Sequence, residues 1–169
     1  MKKRYLGIIS FILLILFIFA GCASNKHIEE TGQIFLADAF TTNYECRWDN
    51  YKDALKIIGS DPVKKYYSDL ETLCTEDGLN AMAANRFPFK YDELAEKYGY
   101  TFKPSDISVN ESDEQIEFTL NLDILSEEKV IGTIKQSGQL QIVSEDGDEL
   151  VDSIWIANFD ELVNYLDTL

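Results

Sequence analysis

The sequence predicts an α+β domain in which N-terminal helices pack on a curved antiparallel sheet and a short helix ends the chain. Up to Gly99 the apolar residues recur at steps of three and four, which is the spacing of amphipathic helices. Beyond Gly99 they alternate in steps of two, which is the spacing of strands. Short polar turns join these strands, and such turns cannot make the crossovers that a parallel sheet requires.

The first predicted helix is long, because its apolar stripe continues without interruption from Ile34 to Ile58. Gly59 suits the left-handed C-terminal cap of this helix. Asp61 and Pro62 then supply an N-cap and a first-turn proline for a second helix. The stripe of the first helix consists of Ala37, Phe40, Tyr44, Trp48, Tyr51, Leu55 and Ile58.

The second helix is predicted to continue through Leu73 and to bend or break near Thr75, where an N-cap residue precedes two acidic residues. Phe87-Pro88-Phe89 interrupts the helical pattern, because proline removes a donor and restricts the residue before it. A third, short helix is predicted from Asp92 to Tyr98, with Gly99 as its stop signal.

The sheet is predicted from strict alternation of apolar and polar residues, which indicates one buried and one solvated face. Gly132 and Gly138 lie inside the third strand and predict bulges or bends, so the sheet should curl. Phe159 to Leu169 is predicted to close the chain as an amphipathic helix. The predicted strands are Asp106 to Val109, Ile116 to Ile124, Val130 to Val143 and Leu150 to Ile156.

The start of the chain resembles a bacterial lipoprotein signal peptide. Lys2, Lys3 and Arg4 precede an apolar run, and the small pair Ala20-Gly21 stands directly before Cys22. The resemblance implies that residues 1–21 are removed and that the thiol of Cys22 receives diacylglycerol, with palmitate among the acyl chains. An uncleaved membrane-spanning anchor is the alternative, because the apolar run is just long enough to span a bilayer.

These features divide the chain into a signal peptide of residues 1–21, a lipidated tether of residues 22–33 and a single α+β domain of residues 34–169. The expected location is the extracytoplasmic face of the cell membrane. The chain has 30 acidic and 15 basic residues, a formal net charge of −15. This balance argues against binding nucleic acid and against docking on anionic lipid, so the N-terminal lipid is expected to provide the membrane attachment.

The order of elements resembles the nuclear transport factor two-like superfamily, also called cystatin-like. Local resemblances to small extracytoplasmic lipoproteins of Gram-positive bacteria lie in Thr75 to Arg86, in Tyr91-Asp92-Glu93-Leu94 and in the strand that carries Gly132. The resemblance implies a cone in which a long first helix crosses a strongly curved sheet. It fixes no function, because isomerases, dehydratases, adaptors and secretion-pore subunits share this fold.

The sequence holds few groups for catalysis. Its single histidine, His27, lies in the tether, which leaves no imidazole in the domain for acid–base work or for a metal site, and no cofactor is expected. An aspartate paired with Tyr44 or Tyr51 remains as a catalytic arrangement, with core packing as the alternative role of these rings. Tyr44, Trp48 and Tyr51 are otherwise expected to form a ligand or partner surface at the mouth of the cone.

The leading hypothesis is a lipid-anchored, non-enzymatic binding or adaptor domain whose partner is an envelope protein or a small ligand. The alternatives are a subunit of a secretion or conjugation apparatus, a small-molecule isomerase or dehydratase, and an inhibitor of an envelope hydrolase. Cys46 and Cys74 lie at equal distances along the chain from Ser60, so they are expected to face each other across the first two helices. A disulfide and a pair of buried free thiols are both left open.

Overall fold

The structure is a computed structural model that describes residues 26–112 and 115–169. The helices are α1 (residues 26–40), α2 (Tyr44–Leu55), α3 (Pro62–Tyr66), a single 3-10 turn (Ser68–Leu70), α4 (Glu76–Ala84), α5 (Phe89–Tyr98) and α6 (Phe159–Leu166). The strands are β1 (Thr101–Ser112), β2 (Gln115–Ser126), β3 (Lys129–Glu145) and β4 (Asp148–Ile156). The predicted α+β class is confirmed. The signal peptide, Cys22 and the start of the tether lie outside the described residues.

The four strands form one curved antiparallel sheet in the order β1-β2-β3-β4. The inner face of β2 is the row that the alternation predicts, and its members are between 0% and 9% exposed. A bulge at Ile131, beside Gly132, shifts the register between β2 and β3. A side chain at Gly138 would collide with the carbonyl of Trp155 and the ring of Phe118, so glycine is needed where that ring lies on the sheet. The inner row of β2 is Ile116, Phe118, Leu120, Leu122 and Ile124.

The concave face of the sheet is covered by α1. Phe35, Leu36 and Phe40 on this helix are at most 1% exposed, and the Phe40 ring lies 6.1 Å from the Phe118 ring of β2. Residues 26–33, predicted as part of the tether, are helical, and Gly32 lies buried next to side chains of β1 and β3. The folded domain therefore begins before residue 34, and the predicted boundary falls inside α1.

The prediction of one long first helix is wrong, because residues 41–43 separate α1 from α2. At this break the Thr42 backbone N–H donates to the Phe102 carbonyl (3.0 Å), and the Phe102 N–H donates to Thr42 Oγ1 (2.7 Å). The Thr42 N–H is thus satisfied by the start of β1, whereas in a continuous helix it would donate to a carbonyl of the same helix. The apolar stripe continues through the break because both helices bury a face.

The second predicted helix is also shorter than expected, since α3 ends at Tyr66 and a 3-10 turn follows. Asp61 caps α3 and Thr75 caps α4, as predicted; Thr75 Oγ1 accepts from the Gly78 N–H at 2.8 Å. The backbone of residues 73–75 pairs with Val151 of β4, with the Thr75 N–H donating to the Val151 carbonyl at 3.1 Å. The helix is interrupted where this segment becomes an edge partner of the sheet.

Some of the remaining boundaries follow local signals and others do not. The predicted cap at Gly59 is wrong, because α2 ends at Leu55 and Lys56 is its C-cap, and α5 begins at Phe89, three residues before the predicted Asp92. Gly99 has the left-handed conformation expected of a C-cap (φ 70°), and Asp146-Gly147 forms the last hairpin turn. Strand β1 is longer than predicted, because a bulge between Ser105 and Ser108 interrupts its alternation. Across residues 26–112 and 115–169, no helix has the length and apolar character to cross a membrane.

Candidate functional site

Three aromatic residues of α2 lie on one side of that helix and form the aromatic stack: Tyr44, Trp48 and Tyr51. The Trp48 and Tyr51 rings are almost parallel (2°) with centroids 5.0 Å apart, and the Tyr44 ring lies 6.0 Å from Trp48. All three residues are partly buried. Phe89 of α5 supports the stack from below, with its centroid 6.2 Å from that of Trp48.

The structure brings the three rings of the stack together. Helix α2 packs on α3 and α5, and Trp48 and Tyr51 lie partly buried against the hydrophobic core. The stack therefore belongs to the layer formed by α2, α3 and α5, here called the outer helical layer. Its position at the mouth of a cone stays a prediction.

The Trp48 ring stacks against Tyr44 and Tyr51, and all three side chains remain partly open to solvent. The nearby Glu96 carboxylate, followed by burial, raises the pKa of Tyr44 to about 12, so its hydroxyl remains protonated at neutral pH. Partly buried aromatic rings with a polar tip are typical of protein interfaces. A slot for a flat small molecule would need a free ring face, which Trp48 lacks.

A buried ion-pair cluster centred on Arg47 lies within the same helical layer. The Arg47 side chain is 1% exposed although it belongs to α2, the helix that carries the stack. Its Nη1 donates to Asp92 Oδ2 and its Nε to Asp69 Oδ2, both at 2.8 Å, and its Nη2 donates to the Asp38 carbonyl at 3.2 Å. One guanidinium thus joins α1, α2, the 3-10 turn and α5.

Asp92 is the second centre of the cluster, and its side chain is 1% exposed. Its Oδ2 also accepts from the Tyr66 hydroxyl at 2.9 Å, and its Oδ1 accepts from the Asn43 backbone N–H at 3.1 Å. Asn43 stands at the N-cap of α2, where its own side chain makes no capping bond. Asp92, a residue of α5, therefore accepts a hydrogen bond from a backbone N–H at the start of α2. A carboxylate at this position is also favoured by the dipole of α2.

Within the cluster, the pKa values of Arg47 and Tyr66 are both raised. Burial lowers the pKa of Arg47, but the carboxylates of Asp92 and Asp69 more than offset it, so the net effect raises the pKa. Burial first, and the Asp92 carboxylate second, raise the pKa of Tyr66 above its usual range. At neutral pH the Arg47 guanidinium is therefore charged and the Tyr66 phenol is neutral.

This arrangement bears on the catalytic alternative, because the resemblance to cone-shaped enzymes implies an aspartate paired with a tyrosine as the catalytic groups. Here Asp92 is paired with Arg47, and the Tyr66 hydroxyl is directed at Asp92 itself and not at an open cavity. Among the described residues, every buried side-chain nitrogen and oxygen has a hydrogen-bond partner. The geometry is that of a closed structural ion pair.

The larger surface depressions lie away from the stack. One of ≈ 820 Å³ lies along the exposed side of α5 beside Phe159. One of ≈ 500 Å³ lies between α1 and the start of β4, and one of ≈ 480 Å³ lies between Ile28 of α1 and Trp155 of β4. None of the three is lined by Tyr44, Trp48 or Tyr51.

Cys46 and Cys74 are free thiols in the structure, so the disulfide alternative is not found. Cys46 is exposed on α2, whereas Cys74 is buried beside Val151 of β4. The equal-height argument assumes continuous helix as far as Leu73, and the end of α3 at Tyr66 removes that assumption. Burial, with a smaller contribution from Asp69, raises the pKa of the Cys74 thiol to about 12, so this thiol is unreactive at neutral pH.

Comparison with family models, with curated proteins and with solved structures finds no match to this chain. In the part of the chain that the structure describes, no group of acidic, histidine or cysteine side chains is arranged to hold a metal ion. The sequence interpretation missed Arg47, Asp92 and Tyr66. One signal was available for Arg47, which lies three residues after Tyr44 on the apolar side of its helix, where a charge must find a partner.

Proposed function

We propose that this chain is a lipid-anchored, non-enzymatic binding or adaptor domain on the extracytoplasmic face of the cell membrane, and that its partner is an envelope protein. The observation that carries the proposal is the aromatic stack, a set of rigid rings partly open to solvent on the outer helical layer. Tyrosine and tryptophan are enriched in protein interfaces, where they bury much area at low entropic cost.

The non-enzymatic part of the proposal is supported by the Arg47–Asp92–Tyr66 cluster. A general base must reach a proton on a substrate, and Asp92 is 1% exposed with both oxygens already accepting hydrogen bonds. Substrate access would require the helical layer to open and the buried Arg47–Asp92 pair to break, at a cost on the order of several kcal/mol.

The lipid anchor at Cys22 is supported by the signal-like sequence before it. Between Cys22 and the first described residue of α1, Lys26, the chain reaches at most about 14 Å. An anchor at Cys22 would therefore hold the domain close to the bilayer. We further propose that the α1-covered curved sheet is a cystatin-like cone, with α1 as the helix that crosses it.

Site-specific photo-crosslinking in cells tests the partner surface. A photoreactive phenylalanine analogue at Tyr51 is expected to give a discrete adduct with an envelope protein. The same analogue at Lys135, on the outer face of β3, serves as the matched control and is expected to give none. Trp48→Ala should abolish the Tyr51 adduct, because it removes the central ring of the stack. Equal crosslinking at both positions, or an adduct unaffected by Trp48→Ala, would contradict the proposal.

A further inference from the structure

The turn between α2 and α3 carries a group of exposed aliphatic side chains, here called the apolar tip: Leu55, Ile57, Ile58 and Val63. Their exposed fractions are 60%, 63%, 105% and 49%. Gly59 at the centre of the turn has a left-handed backbone (φ 84°), and a side chain there would meet no atom within 4 Å. The tip therefore projects from the domain, with Ile58 fully in water.

This exposure serves no purpose within the fold. The buried residues of α2 are Arg47 and Ala54, both before the tip, and α3 buries Tyr66 beyond it. Folded monomers rarely keep several large aliphatic side chains together in water, and such groups usually mark a contact surface.

Lysines surround the tip although the chain as a whole is acidic. Lys52 and Lys56 lie on the last turns of α2, and Lys64 and Lys65 lie on α3. They are four of the 15 basic residues in a chain with 30 acidic ones. Residues 52–65 hold four lysines against two aspartates, so this turn is locally basic, although the charge of the whole chain argues against docking on anionic lipid.

The acidic side chains near the turn between α2 and α3 neutralise its lysines only weakly. Lys52 pairs with Asp49 and Lys56 with Asp53, each at 2.7 Å, and these side chains are 51% to 73% exposed. Exposed pairs of this kind contribute little and are easily exchanged for other anions.

On α3 the acidic groups are occupied differently. Asp61 is used as a helix cap, accepting from the backbone N–H of Lys64 at 3.1 Å. The Lys64 ammonium is 3.7 Å from Glu71, and Lys65 makes no ion pair with any described residue. Lys65 and the loosely held Lys64 are thus available to an external anion.

We infer that the apolar tip inserts into the surface of an anionic lipid bilayer, with the lysines beside it at the level of the phosphates. The inference rests on the proposed membrane location and adds an orientation to it. A projecting aliphatic turn flanked by lysines matches an interfacial anchor, in which apolar side chains enter the acyl boundary and ammonium groups reach lipid headgroups. A protein partner is less suited, because protein interfaces favour aromatic residues and arginine and are poor in lysine.

Fluorescence of the full chain in vesicles tests the inference. The environment-sensitive dye NBD is attached at Ile58→Cys in a Cys46→Ser background, where Cys74 is shielded by its burial and the Cys22 thiol is occupied by the proposed lipid. Lys135→Cys in the same background is the matched control on the opposite layer, and the Cys46→Ser chain alone reports any labelling elsewhere. The vesicles contain either phosphatidylcholine with phosphatidylglycerol or phosphatidylcholine alone, each with and without a lipid-borne nitroxide quencher.

In the anionic vesicles the dye at position 58 is expected to shift to shorter wavelength and to be quenched by the nitroxide lipid, while the dye at position 135 does neither. Quenching at position 58 should be lost in phosphatidylcholine vesicles. It should also be lost when Lys52, Lys56, Lys64 and Lys65 are all replaced by glutamine, a variant whose circular dichroism should be unchanged because these side chains are exposed.

Three results would overturn the inference. If the chain floats with anionic vesicles but the dye at position 58 is not quenched, the tip does not insert and the membrane location itself still stands. If the chain carrying its lipid at Cys22 does not float at all, both the tip contact and the membrane location are wrong. If a wavelength shift appears only with native membranes and vanishes after proteolysis of their proteins, the tip contacts a protein partner and not the lipid.

Discussion

The two ends of α2 share one helix and have opposite roles. Near its start, Arg47 is 1% exposed and joins neighbouring helices through Asp69 and Asp92. At its other end, Leu55 is 60% exposed, and the following turn presents Ile58 entirely to water. An amphipathic stripe therefore does not reveal which of its apolar residues belong to the core. In α2 the charged residue Arg47 is buried, whereas Leu55 and Ile58 at the end of the stripe are exposed.

The difference has an energetic counterpart. Removing one member of a buried ion pair costs about 3–5 kcal/mol, because the remaining charge stays buried without compensation. Replacing an exposed aliphatic residue changes stability by no more than about 0.5 kcal/mol in either direction. The start of α2 should therefore control the folding of the helical layer, and its other end should affect only what the domain contacts.

The largest expected effect comes from Asp92→Ala. This change leaves the Arg47 guanidinium buried with only Asp69 as a carboxylate partner, and it removes the acceptor for the Asn43 N–H and the Tyr66 hydroxyl. We expect the free energy of unfolding to fall by about 3–5 kcal/mol, measured by urea denaturation.

The matched control is Asp53→Ala, which removes a carboxylate from the exposed pair with Lys56 on the same helix. Its urea midpoint should stay at the wild-type value. Equal loss of stability in the two variants would show that burial of the Arg47 cluster does not distinguish the two ends of α2.

A smaller effect is expected from Tyr66→Phe, which removes the hydroxyl that donates to Asp92 and keeps the ring. Hydrogen bonds to charged groups contribute about 1.5–3 kcal/mol, so unfolding should become easier by that amount. Tyr67→Phe is the control, because the Tyr67 ring is similarly buried but its hydroxyl donates to no carboxylate. If the two variants show the same unfolding midpoint, the Tyr66 hydroxyl does not stabilise the cluster.

The smallest effect on stability is expected from Ile58→Ser at the apolar tip. This side chain is fully exposed, so the urea midpoint should not change, while insertion into anionic vesicles should weaken. Ile124→Ser, at a position that is 0% exposed in β2, is the contrasting variant and should prevent stable folding. A destabilised Ile58→Ser protein would mean that the tip packs against the domain.

Local signals were sufficient wherever a structure depends on neighbours in the sequence. Alternation along β2 identified its inner row, and Asp61 and Thr75 were recognised as helix caps because their partners lie three residues away. Gly99 was recognised as a helix end because glycine tolerates the left-handed backbone at low cost. The contact between the rings of the aromatic stack could also be predicted from the sequence, because residues three and four apart on a helix are neighbours.

The sequence by itself determined the α+β class, the caps at Asp61, Thr75 and Gly99, the fourth strand and the C-terminal helix, because periodicity and capping act over a few residues. Only the tertiary structure decided the break at residues 41–43, the Arg47–Asp92 pair and the exposure of Ile58. Thr42 pairs with Phe102, and Arg47 with Asp92, which are 60 and 45 residues distant. Such contacts form only when the whole chain has folded. The pattern within one segment does not show which distant residue will contact it.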